Sequence, residues 1–193
     1  MKLWKNLVAA VLLGACAQAW ADPILSFDTG SSPVVLGSTQ DYAVNIADVS
    51  DLYSYQFSIN YDARYLRAVG VTEGGFLATG GDTLGGTGFI DNGAGTISFI
   101  YNTLYGGGPG VSGSGLLASI RFEAIGVGNA VLSFTDVALL GSSGDEFAFD
   151  AASAQVAVIS GVAEVPEPAS MLLIGAGLAG VAALRRRGVA ARV

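Results

Sequence analysis

Between Tyr53 and Tyr61 every second residue is large and apolar: Tyr53, Tyr55, Phe57, Ile59 and Tyr61 alternate with Ser54, Gln56, Ser58 and Asn60. A period of two puts the five large side chains on one face of an extended strand and the four polar ones on the other. A helix would scatter the same residues around its circumference. The stretch is therefore committed to a sheet with one side on a core. Asp62 and Ala63 break the alternation, and Leu66, Val69 and Val71 resume apolar burial in a second strand behind a tight turn.

The remainder of the chain up to about Ser160 follows the same grammar. Ile24–Phe27 reads as a first strand. Tyr42, Val44 and Ile46 alternate with Ala43, Asn45 and Ala47, and Ala118, Ile120, Phe122 and Ala124 alternate with Ser119, Arg121 and Glu123. Ala130, Leu132 and Phe134, then Val156 and Val158, complete the series. Gly74–Gly88 and Tyr105–Gly115 read as glycine-rich loops. Asn92-Gly93, set between Phe89-Ile90-Asp91 and Thr96–Tyr101, predicts a tight hairpin turn, because Asn-Gly accepts the positive φ such turns need. Tyr101 falls in register with Ile97 and Phe99 and is expected in the core. No segment shows a helical period. Short one-sided strands with turn signals predict an all-β fold, an antiparallel β-sandwich or jelly roll.

Composition removes several functions. The chain has no histidine and a single cysteine, Cys16. That excludes an internal disulfide, a Cys/His zinc site and a Ser-His-Asp or Cys-His catalytic set. All 16 acidic residues lie between Asp22 and Glu167, a stretch with only Arg64, Arg67 and Arg121 of the nine basic ones and a net charge of −13. Such a surface repels phosphate backbones, so nucleic acid is not expected as a partner. Gly108–Gly113 spells G-x-G-x-x-G, but a strand pattern follows it instead of the helix a dinucleotide site requires. Asp145, Glu146 and Asp150 read as a solvated turn, and no metal site is assigned. No catalytic residue is identified, and the chain reads as a non-enzyme. If the body binds sugars, Tyr65, Tyr101 and Tyr105 are the candidate stacking residues, since both tryptophans, Trp4 and Trp20, lie in the leader.

Both ends read as targeting segments. Residues 1–21 carry Lys2 and Lys5, an apolar run from Leu7 to Ala15, and an A-x-A site at Ala19-Trp20-Ala21, the pattern of a secretory signal peptide. The alternative is a lipoprotein leader, with Leu13-Gly14-Ala15-Cys16 as its lipobox and Cys16 as the acylated residue. The body spans 22–161 and the tail 162–193. In the tail Val165-Pro166-Glu167-Pro168 is stiff and extended. Residues 169–184 form an uncharged run, and Arg185-Arg186-Arg187 stops it. As a helix the run would be about 24 Å long, a marginal transmembrane span whose arginines would stay on the cytoplasmic side.

The tail resembles the PEP-CTERM sorting signal: Pro-Glu-Pro, a short apolar helix and a terminal arginine cluster. The resemblance implies export in a Gram-negative bacterium and cutting near Pro166–Pro168 by an exosortase, with the membrane as partner beforehand and the cell envelope, outer surface or extracellular matrix as destination. The body resembles a cohesin domain, best over Asp48–Leu77, where an aromatic-rich strand is followed by Tyr61-Asp62 and by Leu66. Ser114–Ile120 resembles the family's later segment leading to Phe122. Ala63 stands where the family usually has proline. This resemblance implies about nine strands and a non-enzymatic interaction module. Its protein partner would be a dockerin-type module docking on Ser54, Gln56, Ser58 and Asn60. No cofactor is implied for the chain itself, and calcium would enter only through that partner. The alternative on the same scaffold is a carbohydrate-binding or structural matrix protein, with exopolysaccharide as its ligand.

Overall fold

The computed structural model describes residues 22–30 and 33–161. Ala19, Ala21 and Cys16 of the leader, and the Val165–Pro168 motif, apolar run and Arg185–Arg187 of the tail, lie outside the described residues.

Ten strands make up the domain: β1 (Ile24–Asp28), β2 (Val34–Val35), β3 (Thr39–Tyr61), β4 (Leu66–Glu73), β5 (Thr83–Asp91), β6 (Thr96–Leu104), β7 (Val111–Ala124), β8 (Gly128–Gly141), β9 (Asp150–Ala151) and β10 (Ala154–Ile159). All ladders are antiparallel except those of β1 with β9 and β2 with β10. Two of the strands have only two residues each, which accounts for ten where about nine were expected. A 3₁₀ turn at Leu77–Gly80 sits in the first glycine-rich segment, and β5 begins inside that segment at Thr83.

β3 belongs to both layers of the sandwich. Its first part pairs with β1 and β7, and β4 extends that layer beyond β7. Its last part pairs with β6 and β8, extended by β5 on one side and β10 on the other. The sequence divides this stretch into two strands, one at Tyr42–Ala47 and one from Asp51. The structure joins them through Asp48 (φ 56°) and Asp51 (φ 63°), where the register against β7 slips twice. Aspartate tolerates the left-handed region, and the bulges it allows bend the strand out of one layer and into the other.

The bulges are held by side chains. Ser114 Oγ accepts from the Asp48 N–H at 3.0 Å, and Ser112 Oγ from the Asp51 N–H at 2.9 Å. The Asp51 carboxylate accepts from the Ser142 hydroxyl at 2.7 Å, from the Ser142 N–H at 3.2 Å and from the Gly110 N–H. The Ser142 hydroxyl and the Gly110 amide hold its pKa below the ordinary 3.8. A carboxyl depressed in the folded state stabilises above its unfolded pKa and loses that contribution as pH falls through the folded value. Asp51→Ala should therefore lower the thermal midpoint at pH 7, and the gap between variant and parent should close below pH 3.8. Thermal melts across pH 2–7 would check this; a constant gap would refute the role given to the carboxylate.

The apolar side of the alternation is realised as read. Tyr55, Phe57, Ile59 and Tyr61 are buried, and Tyr53 is half-buried. Phe57 meets Phe134 edge-on at 5.8 Å, Tyr61 meets Phe122 at 5.0 Å, and Tyr55 donates its hydroxyl to the Leu117 carbonyl at 2.6 Å. Tyr42 is fully buried, and its hydroxyl has no partner among the described residues. An unpaired buried hydroxyl costs stability, so Tyr42→Phe should raise the midpoint slightly, as urea unfolding would show.

Three local expectations are corrected. Val69 is exposed, because a register shift between Ala68 and Gly70 turns it out and leaves Leu66 and Ala68 facing the core. The Asn92-Gly93 turn is a four-residue loop in which only Gly95 has positive φ (71°). Asn92 instead reaches β4, accepting from Ala68 N–H (2.8 Å) and donating to Ala68 O (3.1 Å). Tyr101 is turned outward, for the reason given next.

Candidate docking face

The outer side of β8–β3–β6–β5 carries the polar row of β3. Directly opposed residues share a face, so the Cα partners give its rungs: Leu140, Ser54, Thr103 and Leu84 on one, Ala138, Gln56, Tyr101 and Gly86 on the next. Ser133, Asn60, Thr96 and Asp91 form the rung nearest the β5–β6 turn.

The rung between them is irregular. Against β6, Phe57 pairs with Ile100 and Ile59 with Ile97; against β8, Gln56 pairs with Ala138 and Ser58 with Thr135. Each neighbour therefore has one residue too many, and two bulges flank β3 at this level. The left-handed residue is Asp136 (φ 50°) in β8 and Phe99 (φ 60°) in β6. Ser58, expected in the exposed row, is only 5% exposed, its hydroxyl receiving the Phe99 N–H at 3.3 Å. Ser54 donates to the Asn102 carbonyl at 3.2 Å. Ser54 and Gln56 are half-buried and Asn60 is exposed.

The extra residue in β6 also changes which side chains face out. Ile97, Ile100, Asn102 and Leu104 are buried, while Phe99 and Tyr101 are exposed. A phenylalanine in the left-handed region is a genuine outlier. Gly88, itself at φ 80°, sits opposite it between the Thr87–Ile100 and Phe89–Ser98 rungs. The Tyr101 ring lies across Gly86, where an added Cβ would come within 2.5 Å of its Cε1. With Leu84 and Phe89, which is 77% exposed, these residues form an apolar stripe along β5 and β6.

The sequence reading singled out only Tyr101 from this stripe. The missed signal is the glycine run at 85–88, which marks β5 as a strand with few side chains of its own. Of the other two tyrosines, Tyr105 is exposed beyond the end of β6, and Tyr65 is half-buried against Gly128 with the Arg64 guanidinium 5.1 Å from its ring centre. The three tyrosines are not brought together on one strand face. A shallow depression of about 660 Å³ lies at the foot of the face, lined in part by Asn60, Arg64, Asn92, Val131 and Ser133.

The face is neutral to acidic. Asp91 and Asp136 are the charged residues on its rungs and bulges. Each arginine of the described domain is already paired: Arg64 with Asp62 at 2.6 Å, Arg121 with Asp41 at 2.8 Å, and Arg67 with Glu123.

A family model described as the cohesin domain matches residues 26–158, and one described as the PEP-CTERM protein-sorting motif matches residues 164–187. No curated protein matches the chain. Among solved structures, it is similar to a type II cohesin–X-dockerin complex from Acetivibrio cellulolyticus, with 14% identity and a TM-score of 0.59 over 72% of this chain and 100% of that one. A non-cellulosomal cohesin from the archaeon Archaeoglobus fulgidus aligns with 15% identity and a TM-score of 0.58, covering 72% and 93%. The cohesin module of a family 33 glycoside hydrolase from Clostridium perfringens aligns with 13% identity and a TM-score of 0.56, covering 70% and 97%.

Proposed function

The chain belongs to the cohesin domain family and carries a PEP-CTERM sorting motif behind that domain, and from this we propose that it is an exported, non-enzymatic interaction module that docks a protein partner on the outer side of β8–β3–β6–β5. The tail sorts it to the cell envelope or surface. An exosortase-type enzyme cuts near Pro166–Pro168, and the apolar run holds the chain in the membrane until then.

One observation carries the docking face: the stripe of Leu84, Phe89, Phe99 and Tyr101, left exposed beside the polar positions Ser54, Gln56 and Asn60. Apolar anchors bordered by hydrogen-bonding groups suit a protein interface. The partner class is a dockerin-type module, the kind of chain found with the cohesin in the Acetivibrio complex.

The test is capture from the producer's envelope and secreted material with the full chain as bait, with calcium and with chelator. A protein captured by the parent only with calcium, and lost with Phe89→Asp, is the expected result. Polysaccharide captured regardless of calcium, and lost with Tyr101→Ala or Tyr105→Ala, would replace this reading with the glycan-binding one.

A further inference from the structure

Five of the large apolar side chains that the domain leaves exposed gather at one end of the sandwich. Val35, Leu36, Ile125, Val127 and Ile159 are between 42% and 54% exposed. Their backbones are knitted together. Leu36 N–H donates to Ile159 O at 2.9 Å, Gly37 N–H to Ala124 O at 2.8 Å, and Ala124 N–H to Ser38 O at 2.9 Å. Gly128, next to Val127, pairs with Val158, next to Ile159. This is the end at which β10 stops and the described chain leaves at Gly161.

Charge divides along the same axis. Arg64 and Arg67 flank the start of β4 at this end, and Arg121 lies near the end of β7. Asp48, Asp51, Asp82, Asp145, Glu146 and Asp150 stand toward the opposite end, with no basic side chain there among the described residues. The domain is therefore acidic at one end and, at the other, apolar with its carboxylates partly offset by arginine.

The sequence supplies the surface that meets the apolar end. Seven residues, and so eight Cα-to-Cα steps, separate Gly161 from Ala169, where the uncharged run begins, and fully extended they reach about 28 Å. A run held in a bilayer keeps Gly161 within that distance of the headgroups. Tethering at this range corresponds to a local concentration of roughly millimolar, so a contact too weak for the free domain becomes populated. An anionic leaflet also disfavours the acidic end, its field acting over about 8 Å.

We propose that, before the tail is cut, the end formed by Val35, Leu36, Ile125, Val127 and Ile159 rests on the lipid surface of the membrane that holds the tail. The acidic end then points away from the lipid, and the middle of the β8–β3–β6–β5 face stays open. The proposal rests on the tail acting as a membrane tether, as read above.

The test uses the full chain in vesicles of phosphatidylethanolamine and phosphatidylglycerol with brominated acyl chains. Trp4→Phe and Trp20→Phe remove both tryptophans, so one introduced indole is the only reporter. With Val127→Trp, emission should shift to the blue and be quenched by brominated lipid about twofold or more beyond Phe89→Trp on the docking face. Adding Ile125→Asp should reverse the quenching while the chain still floats with the vesicles. If the Val127→Trp chain floats with its indole unquenched, the contact is overturned and the tether still stands. A blue shift without lipid quenching would give the patch to a second copy of the chain and equally overturn the proposal. A chain that does not float removes the tether, and the proposal with it.

Discussion

Phe57→Ala should lower the unfolding free energy by about 3–5 kcal/mol, the cost of truncating a fully buried phenylalanine. Phe57 is 0% exposed, lies edge-on to Phe134 and sits 5.7 Å from the Tyr55 ring. It also sits between the two bulges, where the ladders to β6 and β8 are interrupted and packing must replace the missing rungs. Collapse of the cavity is therefore restricted, which points to the upper part of the range. A domain of this size has about 5–15 kcal/mol in all, so the variant gives up a large share of its stability. Urea unfolding of parent and variant would measure the difference; a loss under about 1 kcal/mol would mean that the strand is not the organising element of the core.

Phe99→Gly should act on binding and hardly at all on folding. Holding a phenylalanine at φ 60° costs about 1–3 kcal/mol, and glycine accepts that conformation freely. The side chain is more than half exposed, so little packing is lost to offset the relief. The thermal midpoint should stay level or rise. If Phe99 is an anchor for the partner, affinity should fall by about 30-fold or more, the effect of losing about 2 kcal/mol at an interface hot spot. Calorimetry together with binding to the captured partner would read both quantities. A drop in stability with unchanged binding would remove Phe99 from the docking face and make its strain structural.

The sequence shows the layers more clearly than the joints between them. Tyr53–Tyr61 alternates because one side of β3 touches the core throughout, so its period survives in the residues themselves. The passage of β3 between layers is concealed: Asp48 and Asp51 look like strand breakers, and only the supporting groups of Ser112, Ser114, Gly110 and Ser142, far away in sequence, turn them into bulges. The fate of Tyr101 depends on one extra residue in β6, whose position is set by pairing with β3 and leaves no mark in the pattern Ile97–Phe99–Tyr101. Ser58 is closed off for the same reason. The candidate face was therefore legible as a polar row on β3, while its apolar half on β5 and β6 was not.

The double membership of β3 has a consequence for the order in which the domain can form. Gln56 finds its neighbours at Tyr101 and Ala138, and Asp41 finds Arg121. With residues 1–21 read as an export leader, a chain that crosses from its N-terminus releases β3 long before β8, so only the short ladder with β1 is available at first. The aromatic stretch must wait for nearly the whole domain to cross. Pairings so distant in sequence form slowly, in roughly milliseconds to seconds for all-β domains of small size. The arrangement that gives the finished sandwich its common strand thus also delays folding, keeping the chain threadable during its passage and its most aromatic segment in need of protection on arrival.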